Sequence, residues 1–451
     1  MSGIVGVTDP SEKGRKLVES MLDKVSHRGS AGREIISLDG VTLGVVWTDY
    51  QGTLEPSPVS THSVQDVGCD GRTAQASVVN GKLELIRDRF GLAPLYYGRD
   101  SERLCFASEV KALLAVTHDV NILPPGCKFD GNSLISRFAF QVEPLLDDHI
   151  NNIMAELRCR IEKAVRKCID RDEIGVLLSG GLDSSVIAVF ASREAKLQTF
   201  AIGLPDAPDL EAGRQVAEFV GATHHEIIVS LGQIIEILPE VIYYIESFDA
   251  LLVRSAVINY LVAKEAINYV PTVLVGEGAD GLFAGFGRYK ATPINKLPKV
   301  LAKDIISMHN QGLQRVDRCA MAHGLIAYIP FLDFELADYA ICIPPRMKIK
   351  DGVEKWILRR TVAAMLPDQI VNRPKTVFWS SGGVRELLSV YANENISLEV
   401  FSRERTLPNG WIINTPEELM YYRIFREYFG NAADNPVWVG RTKGAPFIKT
   451  S

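Results

Sequence analysis

The stretch "IGVLLSGGLDSSVIAVF", residues 174–190, constrains the fold more than any other segment of the chain. Ile174 to Leu178 is short, apolar and β-branched at its start, and Ser-Gly-Gly is strong turn chemistry, so a strand ends near Leu178. From Asp183 onward, Val186, Ile187 and Phe190 recur at helical spacing behind Asp183, Ser184 and Ser185, which suit a helix first turn. The element is a strand, a glycine turn and a helix N-terminus. Gly180 and Gly181 carry no Cβ and a helix start is positively polarised, so backbone N–H groups there can approach an anion. Phosphate is the expected guest. The spacing is not that of a P-loop, because no Gly-Lys-Ser/Thr follows, and the dinucleotide fingerprint would need a third glycine.

A chain of 451 residues predicts two or three domains. Its net charge of −6 supplies no phosphate-neutralising excess and argues against a general nucleic-acid binder, although a local basic site is compatible with it. No apolar run approaches eighteen residues, and "MSGIVGVTDPSEKGRK" lacks the basic start and long apolar core of a signal peptide. A cytoplasmic protein without membrane contact is expected. The seven cysteines are scattered without metal-ligand spacing and read as core thiols.

The first 140 residues read as short strands and turns, including "GIVGV", "VTLGVVW" and "ASVVNGKLELIRD", with Asn80-Gly81 as a hairpin turn. Residues 154–169 place Leu157, Ile161, Ala164, Val165, Cys168 and Ile169 on one helical face, opening a second unit. From there "IGVLL", "TFAIGL" and "TVLVGEG" alternate with helical stretches, the pattern of a parallel α/β sheet, and beyond about residue 291 the chain reads as mostly helical. Ligands of such sheets bind beyond the carboxyl ends of the strands. Glu277 and Asp280 follow "TVLVGEG" in a second glycine-rich turn. Two carboxylates in one turn repel each other unless a cation or proton intervenes, and magnesium on ATP phosphates would supply that cation.

Ser-Gly-Gly-Leu-Asp-Ser-Ser resembles the pyrophosphate loop of the ATP pyrophosphatases, which split ATP into AMP and pyrophosphate. That loop, "GEGADGLFAGF", "RVDRCAMAHGLIAYIPFLD" and "NRPKTVF" follow one another as in asparagine synthetases and the related β-lactam synthetases. "SGIVGV", "SHRG", "RDRFGLAPLYYG" and "FASEVKALL" are similar to the glutamine amidotransferase half of those enzymes, so the resemblance spans nearly the whole chain. It implies an α+β Ntn-hydrolase-like sandwich over residues 1–145. An α/β parallel-sheet ATP pyrophosphatase domain with a helical C-terminal part would follow over 150–451.

The resemblance also implies site residues. Ser179, Gly180, Gly181, Ser184 and Ser185 would hold pyrophosphate, with Asp183 and Asp280 taking Mg2+ between them. AMP would lie against Leu177, Ala201, Ile202 and Gly276. Lys375 would neutralise pyrophosphate, with Lys355 as its companion cation. Both jobs suit lysine as a point charge. Glu277 would orient or deprotonate the attacking amine, and Tyr328 is a weaker candidate.

The sequence departs from the family in two places. The glutaminase nucleophile is a cysteine exposed once Met1 is removed, and here that position is Ser2. The Asn-Gly-Glu stretch has no counterpart between Trp47 and Ala74, and "VVWTDYQG" lacks the arginine that clamps the glutamine carboxylate. Arg28 and Gly29 remain and read as fold residues. Loss of glutamine hydrolysis is therefore expected, although a terminal serine can act as a nucleophile elsewhere. In addition, Ile326 and Tyr328 stand where asparagine synthetases carry Glu and Arg before Pro-Phe-Leu-Asp. An acid other than aspartate is expected.

The expected activity is ATP-dependent amide-bond formation: a carboxylate is adenylated and its acyl group passes to ammonia or a substrate amine. A homodimer is compatible with this. An ammonia-dependent asparagine synthetase, a lactam or macrolactam synthetase, a sulfur-delivering tRNA enzyme and a non-catalytic synthetase-derived regulator are the alternatives. Sulfur delivery is disfavoured by the lack of paired cysteines and of basic excess. The regulator is disfavoured by the joint retention of Asp183, Glu277, Asp280 and Lys375.

Overall fold

The computed structural model describes residues 1–48, 59–143, 145–375 and 384–440. Its N-terminal region stacks a pair of six-stranded sheets, both antiparallel throughout, face to face. Strand pleat sorts the side chains. On Ser2–Val7, Ile4 joins the core between the sheets, whereas Val5 and Val7 point to the other face and pack with Val18, Met21 and Leu22 of the helix Glu12–Lys24. Asn80 and Gly81 both have positive φ (52° and 73°) and turn Thr73–Val79 back onto Lys82–Arg87 as the dipeptide predicts.

The helix expected over 154–169 runs from Ile150 to Lys167, and Leu157, Ile161, Ala164 and Val165 are among its buried residues. A five-stranded parallel sheet follows, in spatial order Thr223–Ile228, Lys196–Gly203, Glu173–Leu177, Thr272–Leu274 and Ile326–Tyr328. Beyond residue 291 the described chain is mostly helical as expected, and this last short strand is its addition to the sheet. Three residues set between a helix and Pro330 carry no periodicity, and their strand character comes from pairing with Thr272–Leu274. No helix among the described residues is long and apolar enough to cross a membrane.

A single buried core continues from the helical face of the first sheet into the parallel sheet and its helices. Buried ion pairs also cross this boundary. The Arg28 guanidinium donates to Asp317 at 2.8 and 3.0 Å, to Glu109 at 3.0 Å and to Asp66 at 3.3 Å. Arg318 in turn meets Glu109 at 2.9 Å and Glu246 at 3.2 Å. Burial alone would lower the Arg28 pKa, but Asp317, Glu109 and Asp66 more than offset it and keep the guanidinium charged. Arg28 is thus fully buried among partners from both the N-terminal sheets and the synthetase-like region.

Candidate active site

The turn after Glu173–Leu177 is held by its own side chains. Ser184 Oγ accepts from the Ser179 N–H at 3.2 Å, and Ser185 Oγ donates to the Gly181 carbonyl at 2.8 Å. Gly180 has φ +65°, and a Cβ there would fall 2.4 Å from the Ala212 side chain, so both conformation and packing demand glycine. The helix Leu182–Ala191 starts directly behind it, with Asp183 in its first turn. Gly276, ending the neighbouring strand segment, lets the two turns touch: a Cβ there would lie 2.8 Å from the Asp183 carbonyl carbon and the Ser184 nitrogen.

That contact brings Asp183 and Asp280 to one cation. Lys355 Nζ lies 2.7 and 2.6 Å from the two Asp183 carboxylate oxygens and 2.5 Å from Asp280 Oδ1. Lys375 Nζ lies 2.8 Å from Asp280 Oδ2 and 3.7 Å from Asp183 Oδ2. Burial raises the Asp280 pKa, but Lys355 and Lys375 outweigh it and hold the carboxyl well below its ordinary range. Burial likewise lowers that of Lys375, and Asp280 with Asp183 outweigh it and hold the amine above its ordinary value. Lys355 reaches this position from a left-handed backbone, φ 54°, just before the helix Trp356–Val362. A non-glycine residue persists there only when its surroundings fix it.

Three adjoining cavities meet at these charges. The first, about 130 Å³, has Leu177, Ala201, Ile202 and Gly276 on its walls and reaches Ser179, Asp183 and Ser184. The second, about 70 Å³, is strongly cationic, with Lys355, Arg359, Arg373 and Lys375 beside Ser179 and Gly181. The third, about 290 Å³, lies beyond Glu277 and Arg315 and is bounded by Leu252, Ser255, Phe286 and Tyr289. Arg315 ion-pairs with Glu277 where the first and third cavities adjoin. Here the arrangement offers an apolar slot, a cationic phosphate seat and a roomier chamber, joined through paired charges.

The sequence profile described as asparagine synthase matches residues 156–302 and 293–441, the region that builds all three cavities. The chain belongs to the asparagine synthetase family. It is accordingly an ATP-dependent, amide-forming ligase of that family. A glutamine amidotransferase domain profile matches residues 69–115. The asparagine synthetase [glutamine-hydrolyzing] of Cricetulus griseus is 32% identical over 421 residues, covering 80% of this chain and 74% of that protein. The human enzyme of the same description is 30% identical, with the same coverage. A probable asparagine synthetase [glutamine-hydrolyzing] of Acanthamoeba polyphaga mimivirus is 29% identical over 407 residues, covering 81% and 74%. Among solved structures, the glutamine phosphoribosylpyrophosphate (PRPP) amidotransferase from B. subtilis covers 50% of this chain and 65% of its own, at 12% identity and a TM-score of 0.26. That likeness is too distant to carry any argument about the fold.

Three residues expected from the asparagine synthetase resemblance, Tyr328, Gly180 and Ser185, line none of the three cavities. Tyr328 is fully buried, its ring 5.7 Å from the Arg72 guanidinium, and it lines none of the three cavities. Ile326, on the same short strand, is buried too, paired with Thr272 in the sheet. The strand packs its side chains inward beneath the N-terminal region, where Arg72 also donates to the Ala327 carbonyl at 2.6 Å. Ser185 is buried with its hydroxyl turned onto the Gly181 carbonyl, and Gly180 packs on Ala212, so both shape the loop from behind. Asp183 and Asp280, expected to hold magnesium between them, both contact the Lys355 ammonium.

Sequence reasoning passed over Arg315, Arg373 and Asp209. Arg373 Nη2 donates to Asp209 at 2.6 Å, which ties the lysine segment to the first turn of the helix Pro208–Val220. The available signal was the Arg-Pro-Lys run at 373–375. Thr376 to Phe378 of that motif, and Asp49 to Gly52 of "VVWTDYQG", lie outside the described residues. In the N-terminal region, Ser2 is buried, its N–H donating to Asp66 at 2.8 Å and its carbonyl accepting from Arg28 Nε at 3.0 Å.

Proposed function

We propose that the protein adenylates a carboxylic acid with MgATP and transfers the acyl group to ammonia or a substrate amine, releasing AMP and pyrophosphate. The observation that carries this reading is the four-charge cluster of Asp183, Asp280, Lys355 and Lys375 at the mouth of the glycine loop. Adenosine would occupy the apolar slot, and the β and γ phosphates the cationic seat, where loop N–H groups and two lysines meet them. A carboxylate oxygen would attack the α-phosphorus, and the bond to the bridging oxygen would break with its electron pair leaving on pyrophosphate. The amine would then attack the acyl carbon, AMP would leave, and the amine proton would pass to Glu277 or water. Arg315 positions Glu277 for that contact.

Asp183 and Asp280 fit magnesium in one respect: both face a single cation, and magnesium commonly takes one or two carboxylates together with substrate phosphates. When bound, the ion would supply charge to the leaving pyrophosphate. Lys355 and Lys375 would then turn toward phosphate oxygens.

The acid would lie in the third cavity, whose size suits a molecule bulkier than aspartate and whose lining joins Leu252, Phe286 and Tyr289 with the charged Arg288, Asp304 and Arg315. Ile326 and Tyr328 do not carry this argument, since both lie away from that cavity. Ser2 and the mutual pairing of Arg28, Asp66, Asp317 and Glu109 support loss of glutamine hydrolysis, with the N-terminal 145 residues serving as a packed support. Acid-dependent exchange of labelled pyrophosphate into ATP tests the reading across a panel of acids, aspartate included. Exchange with a bulky acid supports it. Exchange with aspartate alone, followed by asparagine formation from ammonia, would favour an ammonia-dependent asparagine synthetase. ADP and phosphate as products would overturn both.

A further inference from the structure

The helix Ala250–Ala266 forms a wall common to two of the cavities. Leu252 and Ser255 face the larger one, and Asn259 and Val262 face the slot assigned to adenosine. Asn259 is 9% exposed, and its Oδ1 has no hydrogen-bond partner among the described residues. Leaving a buried amide oxygen unpaired costs about 1–3 kcal/mol, which is tolerated where a ligand completes the bond. Its neighbours on the slot wall include Phe200, Ile202, Val262 and Val275, none of which has a polar side chain. A carboxamide in an apolar slot is suited to telling bases apart. It matches adenine at two points, Oδ1 accepting from the 6-amino group and Nδ2 donating to N7.

Resting on the assignment of this slot to ATP, we propose that Asn259 selects adenine by accepting a hydrogen bond from its 6-amino group. A 6-oxo base presents only acceptors at O6 and N7, so the amide can donate Nδ2–H to it but its Oδ1 is left unpaired, the situation that gives sites of this kind their discrimination. Equilibrium binding of ATP, inosine triphosphate and 2′-deoxy-ATP to the full chain tests this, with Asn259→Leu and Asn259→Asp alongside. The native protein should prefer ATP to inosine triphosphate by about tenfold or more. Asn259→Leu should bring that ratio close to one, while Asn259→Asp, which keeps the acceptor, should retain most of it. The penalty for 2′-deoxy-ATP should be the same in all three proteins. An unchanged base ratio in Asn259→Leu overturns the proposal, and so does a change confined to 2′-deoxy-ATP, which would place the amide on the ribose. Absence of any nucleotide binding to the native protein would overturn the assignment of the slot itself.

Discussion

Lys355 Nζ bridges Asp183 and Asp280, at 2.6 Å from Asp183 Oδ2 and 2.5 Å from Asp280 Oδ1. Two turns from separate strands are thereby joined by a residue far along the chain, and their charges are balanced before any phosphate arrives. Removing one acid should leave the lysines mispaired and the leaving pyrophosphate without its counter-charge. Asp183→Asn is expected to lower turnover by about 10²–10³-fold, measured as pyrophosphate release at saturating ATP. An Asp183→Asn enzyme of native activity would contradict the role given to this carboxylate.

Lys375 is held charged by Asp280 and Asp183 against the effect of burial, so it delivers a fixed positive charge where the transition state gathers negative charge. Lys375→Met should therefore reduce kcat more than it raises KM for ATP. Steady-state kinetics would show this, and a change in KM alone would mean the lysine serves ground-state binding only.

Arg28 and Asp317 make a fully desolvated two-point ion pair between the N-terminal sandwich and the helix Gly312–Met321. Cutting it leaves Arg28 buried with Glu109 and Asp66 but without its two-point partner, so the cost stays below the about 3–5 kcal/mol of a fully stranded buried charge. Asp317→Asn should lower stability to denaturant by about 1–3 kcal/mol, the range for a lost buried charge-assisted hydrogen bond.

Acid should weaken the fold before carboxylates titrate. Burial, with a small contribution from Arg87, pushes His309 down to about 3, and burial pushes His323 down to about 4. Between these values and the ordinary imidazole pKa of about 6.5, the unfolded chain binds more protons than the folded one, so stability falls as pH drops through that window. Thermal melts from pH 7 down to about 4 should show a decline that His309→Phe makes shallower. A native melting temperature independent of pH over that range would contradict the burial assigned to both rings.

What was legible in the sequence follows from local physics. The glycine loop could be read because Gly180 demands a left-handed backbone and tight packing, and Asn80-Gly81 because the turn needs two positive φ angles. Lys375 and Lys355 came from motif resemblance, and the cluster around Asp183 brings them together. Arg315 and Asn259 were not legible, since each is an ordinary polar residue on a helix until the tertiary fold sets it beside a cavity. For a similar reason the sequence does not show that Tyr328 and Ile326 are buried and line none of the three cavities. Nothing local reveals which way a three-residue strand turns its side chains, and the decision belongs to the sheet and to Arg72 packed on it.

The proposed activation forms an acyl adenylate in the cavities around the Asp183, Asp280, Lys355 and Lys375 cluster. It is tested most directly by following heavy oxygen from the carboxylate of an accepted acid. Attack by that carboxylate on the α-phosphorus predicts one labelled oxygen in the AMP released with the amide, and unlabelled pyrophosphate. Label recovered in inorganic phosphate, with ADP as the nucleotide product, would show activation at the γ-phosphate and contradict the account.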